Sequence, residues 1–429
     1  MKEILKRCVV SILTAEARIL LKRKCPKIIA ITGSVGKTST KDAIYSVLKN
    51  SVHTRKSEKS FNSDIGVALT VLGLSNGWNN PYIWLRNIFD GAVNALFSSN
   101  YPEVLVLEMG VDGPGDMKRL TQWITPDVVV VTRLPDVPVH VEHFSSPEEV
   151  SDEKMILVKA LKPDGVLVYN HDDEKIEQYL ETVQQKLLGF GRYSPSDFTA
   201  SADTIIYDGA SPIGLEFMLT LTDKKVKVQV IGSLGIQHAY NYAAAVAVGT
   251  LFDVSLEDGV YALKTHVPPP GRMRVILGIN ETMIIDDTYN SSPVACEHAI
   301  HALAELDTKG KKIAVLGDML ELGQFSVREH ERVGELLASK VDLLFTIGVR
   351  ARKIAESALE HGLSEKNIFQ YDDMQKLIQE LKPLLSKNDI LLVKASQSIR
   401  AEKIVASLMA EPTKASELLV RQDIAWSFK

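Results

Sequence analysis

The chain has 429 residues, enough for two or three domains each with its own core, and its 45% hydrophobic and 24% charged residues are an ordinary globular balance. A net charge of -5 argues against general nucleic-acid affinity, which needs basic surfaces, so no nucleic-acid partner is expected. Cys8, Cys25 and Cys296 are too widely spaced for a disulfide framework or a cysteine zinc site, and they fit a reducing, cytoplasmic compartment.

The first segment is strongly basic. Lys2, Lys6, Arg7, Arg18, Lys22, Arg23, Lys24 and Lys27 stand against only Glu3 and Glu16, while Leu5, Val9, Ile12, Leu13 and Leu20 fall near one helical face. An amphipathic helix is therefore expected over residues 1–25. The apolar run Cys8 to Ala15 is too short to span a bilayer and is closed by Glu16 and Arg18, so neither a transmembrane helix nor a secretion signal is expected. Such a helix can lie on an anionic membrane surface, but packing on the first domain is the commoner outcome.

Ile28 to Ile31 is short, apolar and β-branched, as in a buried parallel strand, and Lys41 to Asn50 has helical spacing at Ile44, Val47 and Leu48. Between them Gly33, Ser34, Val35, Gly36, Lys37, Thr38 and Ser39 read as a phosphate loop. The glycines let backbone N–H groups face an anion at the helix N-terminus, Lys37 adds a charge for outer phosphates, and the Thr38 hydroxyl can reach a magnesium ion. Only two residues separate Gly33 from Gly36, and Ile31 stands where the longer pattern has its first glycine. A tight βα turn with a solvated lysine is the competing reading.

Further short apolar runs, Val104 to Leu107, Val128 to Val131 and Val166 to Tyr169, alternate with helical segments, which is α/β architecture. Within Asp203 to Ile231 the period changes. Leu215 to Leu221 and Val226 to Ile231 alternate around Thr222-Asp-Lys-Lys225, predicting an antiparallel hairpin. An alanine-rich helix follows over Tyr240 to Leu251, and Val267 to Gly271, with three consecutive prolines, reads as a hinge. Beyond it, strands Met283 to Ile285, Ile313 to Leu316, Leu343 to Ile347 and Ile390 to Lys394 alternate with helices that include Val294 to Leu306 and Val327 to Ser339. The tail after Met409 is polar and mixed, a final helix or a frayed end. The expected organisation is one basic helix over 1–25, a P-loop ATPase-type central domain over 26–270, and a Rossmann-like doubly wound domain over 271–429.

Several residues lie where such sheets carry chemistry. Glu108, at the C-terminal end of its strand, is placed either to hold magnesium or to face water. His140 and His143 follow the strand Val128 to Val131, but no third ligand has zinc spacing. Lys154 by itself reads as a solvated helix lysine. Arg272, just after the hinge, can clamp phosphate, and the acids of Asp286-Asp-Thr-Tyr-Asn-Ser-Ser-Pro293 can bind ribose hydroxyls. They serve equally well as a linker charge and a helix cap.

Taken together these segments resemble the Mur ligase family. The matching motifs are Gly33-Ser-Val-Gly-Lys-Thr-Ser39, Phe61-Asn-Ser-Asp-Ile-Gly-Val67, Leu107-Glu-Met-Gly110, His140-Val-Glu-His-Phe144, Asp286 to Pro293, Leu316-Gly-Asp-Met-Leu-Glu-Leu-Gly323 and Val393-Lys-Ala-Ser-Gln-Ser-Ile-Arg400, all in family order. The resemblance implies an ATP-dependent carboxylate–amine ligase. It would activate a muramoyl-peptide carboxylate as an acyl phosphate and join it to a D-alanyl-D-alanine-type amine in peptidoglycan precursor synthesis. By the same resemblance Lys154 takes the position of a carbamylated lysine, its carbamate derived from CO2, and Thr38, Glu108, His140 and Lys154 hold two Mg2+ sites. Lys37, Glu108, His140 and Lys154 would be catalytic. Asn241 and Arg272 would contact the nucleotide, Asp287 its ribose, and Tyr289 and Asn290 would lie near the adenine. Asn62 is a substrate candidate, with Lys394, Ser396 and Arg400 on the amine side. A monomer is expected, with residues 1–25 available for peripheral membrane contact.

The sequence also departs from the family pattern. Gln237 and His238 stand where histidine and asparagine are usual, Arg133 replaces a frequent asparagine, and Ala395 and Gln397 differ as well. Members acting on UDP-linked sugars carry a uridine-binding domain before the phosphate loop, where this sequence shows one helix. A different mode of acceptor recognition is expected, and a lipid-linked muramoyl peptide, a folate or an amino-acid polymer are the alternative acceptors. A non-enzymatic nucleotide switch is disfavoured, because Ser339-Lys-Val-Asp342 precedes a strand, whereas a guanine-reading loop follows one.

Overall fold

The computed structural model describes residues 2–78, 80–193, 196–423 and 426. The first part of the chain runs α1 (Lys2–Lys24), β1 (Lys27–Thr32), α2 (Lys37–Leu48), β2 (Thr54–Lys56), α3 (Asp64–Leu72), α4 (Pro81–Phe97), β3 (Val104–Glu108), α5 (Asp116–Thr121), β4 (Val128–Val131), α6 (Pro147–Lys159) and β5 (Val166–Asn170). It continues through α7 (Glu174–Leu180), β6 (Lys186–Gly191), β7 (Phe198–Asp208), β8 (Ser211–Leu221), β9 (Lys224–Ile231), α8 (Gln237–Thr250) and α9 (Leu256–Leu263). The second part runs β10 (Arg274–Leu277), β11 (Met283–Asp287), α10 (Pro293–Glu305), β12 (Lys312–Gly317), α11 (Ser326–Leu337), β13 (Leu343–Ile347), α12 (Arg352–Glu360), β14 (Ile368–Tyr371), α13 (Met374–Leu381), β15 (Ile390–Lys394), α14 (Glu402–Leu408) and α15 (Ala415–Leu418).

The α/β alternation read from the sequence is present in both parts. Nine strands form one sheet in the order β2-β3-β1-β4-β5-β6-β7-β8-β9, parallel as far as β7 and antiparallel from β7 to β9. The expected hairpin is therefore not a separate element. It is the end of the same sheet, joined through Phe190↔Phe198 and Gly191↔Thr199. Six strands form the other sheet, β10-β11-β15-β12-β13-β14, with only β10 antiparallel. Helices cover both faces, so β1, β3 and β4 are buried on both sides, which is why they are continuous apolar runs.

In each sheet the chain leaves a central strand in both directions. β1 lies between β3 and β4, and β15 between β11 and β12. The loops at the C-terminal ends of such strands enclose a crevice.

Helix α1 packs on α3 and α4 through Leu13, Ala17 and Leu20, so the packing alternative for this helix is the one observed. The expected apolar face needs one correction: Ile12 points outward, 42% exposed, because the buried stripe follows Leu13 at spacings of four and three. The side chains of Lys2, Glu3, Leu5 and Lys6 lie outside the described residues. No helix among the described residues is long and apolar enough to cross a membrane.

Candidate active site

The phosphate loop is built by close approach. Gly33 has φ +130°, and a Cβ there would sit 2.1 Å from Thr132 Oγ1; Gly36, at φ +89°, would place one 2.9 Å from Asn241 Oδ1. Only glycine fits such a cradle. Thr132 Oγ1 donates to Val35 O (2.7 Å), and Ser34 N donates to Arg133 O (2.8 Å), so the end of β4 shapes the loop. Gly36 caps α2 without a side-chain acceptor, leaving the first N–H groups of the helix facing the crevice. Lys37 Nζ lies over the loop, donating to Gly33 O at 2.7 Å, and burial lowers its pKa against the opposing pull of Glu108.

Beside the loop, the Thr38 hydroxyl donates to Glu108 Oε2 (2.9 Å) and meets Ser60 Oγ at 3.1 Å, while Asn62 Nδ2 donates to Glu108 Oε1 at 3.4 Å. The strand end of Glu108 is buried rather than facing water. His140, in the left-handed conformation at φ 71°, presents Nδ1 to Glu321 Oε2 at 2.8 Å and Nε2 to Asp112 Oδ1 at 3.6 Å. The His140 hydrogen bond in turn holds the Glu321 carboxyl below its ordinary pKa. His143 is exposed and pairs with neighbouring Glu142.

Lys154 is not the solvated helix lysine that its local sequence suggests. It lies on the inner face of α6, buried, and no carboxylate among the described residues forms an ion pair with it. Burial, assisted by Lys37, lowers its amine to about 7, although Asp112 and Glu153 oppose the shift.

Lys37, Thr38, Asn62, Glu108, His140 and Lys154 line a cleft of about 1270 Å³ between the two sheets. Arg272, Tyr289, Asn290, Ser396 and Arg400 line it from the other side. The Arg272 guanidinium stacks 4.0 Å from the Tyr289 ring centroid. A smaller crevice of about 40 Å³ adjoins it, lined by Val35, Gly36, Ser39, Asn241, Arg272, Asp287 and Lys394. Asn241 Oδ1 accepts from Thr40 Oγ1 at 3.0 Å.

The expected site thus divides in two. Tyr289 and Asn290 face the cleft, whereas Asn241 and Asp287 face the crevice, and Arg272 faces both. Lys394 lies apart from its expected companions Ser396 and Arg400. Its ammonium is buried, 2.6 Å from Asp287 Oδ2 and 2.9 Å from Asn290 O. Ser396 Oγ accepts from Leu320 N at 2.9 Å, and Arg400 Nε donates to Glu402 Oε1 at 2.6 Å.

Sequence reasoning gave Glu321 and the tail after Met409 no role, and it gave Asp112, within Asp112-Gly-Pro-Gly115, no place in the ligase site. Glu321 belongs to a motif that was singled out, and its spacing after β12 was the available signal. The tail gave none, yet Arg421 and Trp426 line the cleft, and Asp423 pairs with Lys59 across it.

The donors present fit a nucleotide and a hard cation. Ser34 Oγ, Gln237 Oε1, His238 Nε2 and His298 Nδ1 are buried polar atoms with no partner among the described residues, and the last three belong to side chains of the crevice. The Thr38 hydroxyl and the Glu108 carboxylate are oxygen donors of the kind magnesium takes.

A model of the Mur ligase middle domain matches residues 31–249, and a model of the Mur ligase, glutamate ligase domain matches residues 271–397. The UDP-N-acetylmuramoyl-tripeptide–D-alanyl-D-alanine ligase of Bacillus subtilis (strain 168) is 30% identical over 400 residues, covering 92% of this chain and 79% of that protein. The Escherichia coli (strain K12) protein of the same name is 27% identical, covering 90% and 78%. Among solved structures, the MurF ligase of Thermotoga maritima in complex with ADP has a TM-score of 0.75 at 26% identity, covering 93% of this chain and 83% of that one. Folylpolyglutamate synthase of Mycobacterium tuberculosis, at 16% identity and a TM-score of 0.63, covers 90% of this chain and 93% of that one and shares the fold.

Proposed function

The chain belongs to the Mur ligase family, and from that premise we propose that it is an ATP-dependent ligase that adds D-alanyl-D-alanine to a muramoyl-tripeptide carboxylate. One observation carries this reading. Lys37, Glu108, His140 and Lys154 share a single cleft with Arg272, Ser396 and Arg400 from the opposite sheet.

When bound, ATP supplies the phosphoryl group that makes the carboxylate an acyl phosphate open to attack by an amine, and two magnesium ions screen its charge. Thr38, Glu108, His140 and a carbamylated Lys154 are the residues that would hold those ions.

Lys37 and the open N–H groups of α2 orient the phosphates. Lys154 supports the carbamate assignment through its buried position and its shortage of carboxylate partners. A neutral amine attacks CO2, forms the N–C bond and loses a proton, and the product carries a negative charge where the ammonium carried a positive one. Glu321 holds the His140 ring through Nδ1, leaving Nε2 on the side of Asp112 at the cleft wall. The units 26–270 and 271–429 act as domains about Val267–Gly271, so that closure carries Arg272 and Asp287 onto the nucleotide.

The test is phosphate release from ATP with D-alanyl-D-alanine, screened against UDP-linked and lipid-linked muramoyl tripeptides, folates and poly-amino acids. Release is expected only with a muramoyl tripeptide, and Lys154→Ala should abolish it. No signal with any muramoyl acceptor would reject the assignment.

A further inference from the structure

Two helices that the ligase chemistry leaves unused lie side by side on the outside of the nine-stranded sheet. Arg23 Nη1 of α1 donates to Ala95 O of α4 at 2.6 Å, Lys24 Nζ donates to Ser99 O at 3.1 Å, and Glu16 faces Gly91, so the helices run in the same direction. The inner side of α4 is Asn87, Gly91 and Ala95, at spacings of four. Its outer side is Tyr82, Leu85, Phe89, Val93, Leu96 and Phe97, all between 39 and 82% exposed. A stripe of six large apolar side chains along one helix is more than scattered surface hydrophobicity. Next to it α1 presents Ile12 and Ile19 among exposed Arg7, Arg18 and Lys22. Arg86 adds a further cation beside the stripe, with Asp90 at 3.7 Å as its partner, and Glu16 of α1 is buried.

From this face we infer that α1 and α4 dock the protein on an anionic lipid surface, with α4 rather than the apolar side of α1 entering the headgroup region. Charge decides the occupant. The chain is acidic overall, at -5, yet this face carries the exposed cations Arg7, Arg18 and Lys22 of α1 beside the apolar stripe of α4. A second copy seated on it by two-fold symmetry would lay this cationic patch, with Arg7, Arg18 and Lys22, against the same cationic patch of its partner, which is unfavourable. An anionic bilayer satisfies the stripe and its cationic border together. The apolar side of α1 is already used inside the fold by Leu13, Ala17 and Leu20.

The N-terminal end of α4 is tied to the rim of the candidate active site through Trp78. Trp78, in the turn before α4, lines the cleft, is 42% exposed, and accepts from Trp84 Nε1 through its carbonyl at 2.9 Å. Trp and Tyr favour the membrane–water boundary, so docking brings the rim of the cleft to headgroup level. An acceptor carried on a lipid is the chemical class such a placement serves. The docking inference itself does not rest on the ligase reading, because its test reads binding alone.

The experiment is co-sedimentation of the full chain with phosphatidylcholine vesicles prepared with and without phosphatidylglycerol. Binding is expected only with phosphatidylglycerol and falls as salt rises. The doubles Leu85→Gln/Phe89→Gln and Arg18→Glu/Lys22→Glu should each weaken it by roughly tenfold or more. Thermal melts and ATP turnover without vesicles should match the parent for both doubles, which separates lost binding from lost fold. Absence of binding to phosphatidylglycerol vesicles would overturn the inference, as would equal binding by parent and both doubles. So would sedimentation equilibrium showing a dimer that Leu85→Gln/Phe89→Gln converts to monomer, since a second copy would then cover the stripe.

Discussion

Lys394→Met probes the joint between the small crevice and the cleft. Lys394 and Asp287 face each other across adjacent strands in register, with an Nζ to Oδ2 distance of 2.6 Å and side chains 1% and 9% exposed. Methionine keeps the length of the lysine stem but removes the charge, leaving the Asp287 carboxylate with the Met273 N–H, at 3.2 Å, as its remaining donor. Breaking a buried pair from one side costs about 3–5 kcal/mol, chiefly because the other charge is stranded. Adding Asp287→Asn removes that stranded charge, so the double variant should recover about 2 kcal/mol relative to the sum of the singles. The assay is urea denaturation followed by circular dichroism, with hydrogen exchange at β11 and β15 to distinguish local opening from global unfolding. A loss under about 1 kcal/mol, the size of an exposed pair, or a double variant no better than additive, would refute a structural role for the buried Lys394–Asp287 pair. Unchanged stability with a raised KM for the amine would instead return Lys394 to the substrate.

Gly33→Ala forces a Cβ to within 2.1 Å of Thr132 Oγ1 at a φ of +130°. At about 2 kcal/mol this predicts a roughly thirtyfold loss of ADP affinity by calorimetry, and an unchanged affinity would mean the loop is not the phosphate cradle. Glu321→Ala frees the His140 ring and should lower kcat about 10–100-fold while leaving the melting temperature in place, as for other groups that orient a ligand residue; unchanged kcat would remove Glu321 from the site. Glu16 is buried against α4, and burial raises its carboxyl from 4.5 to about 7. Its charged form is penalised only in the folded state, so stability is lost as pH rises from 4.5 through about 7. Glu16→Gln should therefore melt higher than the parent at pH 8 and show little advantage at pH 5; the same pH slope in both proteins would argue against that burial.

Legibility from the sequence followed the range of each interaction. Strands β4, β13 and β15 were readable to the residue because they are buried on both faces and carry unbroken apolar runs. β2, three half-buried polar residues, and β6, a six-residue strand containing two glycines, had no such pattern. Periodicity also says nothing about which strands pair, so the alternation in Leu215 to Ile231 predicts a hairpin but not its place at the end of the nine-stranded sheet. In the site, Lys37, Thr38 and Glu108 were legible because C-terminal strand ends face the crevice of a parallel sheet. Lys154 was locally ordinary and took its meaning from family resemblance. The pairing of Lys394 with Asp287, separated by 107 positions, and the passage of Arg421 and Trp426 along the cleft depend on tertiary contacts that no local pattern encodes.

The central claim is that the cleft moves a phosphoryl group onto a carboxylate before the amide forms. It is tested most directly by labelling the carboxylate oxygens of the muramoyl tripeptide with oxygen-18 and analysing the released phosphate by mass spectrometry. When the amine displaces phosphate from the acyl carbon, the bridging oxygen leaves with phosphorus, so each phosphate formed should carry one labelled oxygen. Amide product accompanied by unlabelled phosphate would contradict the account.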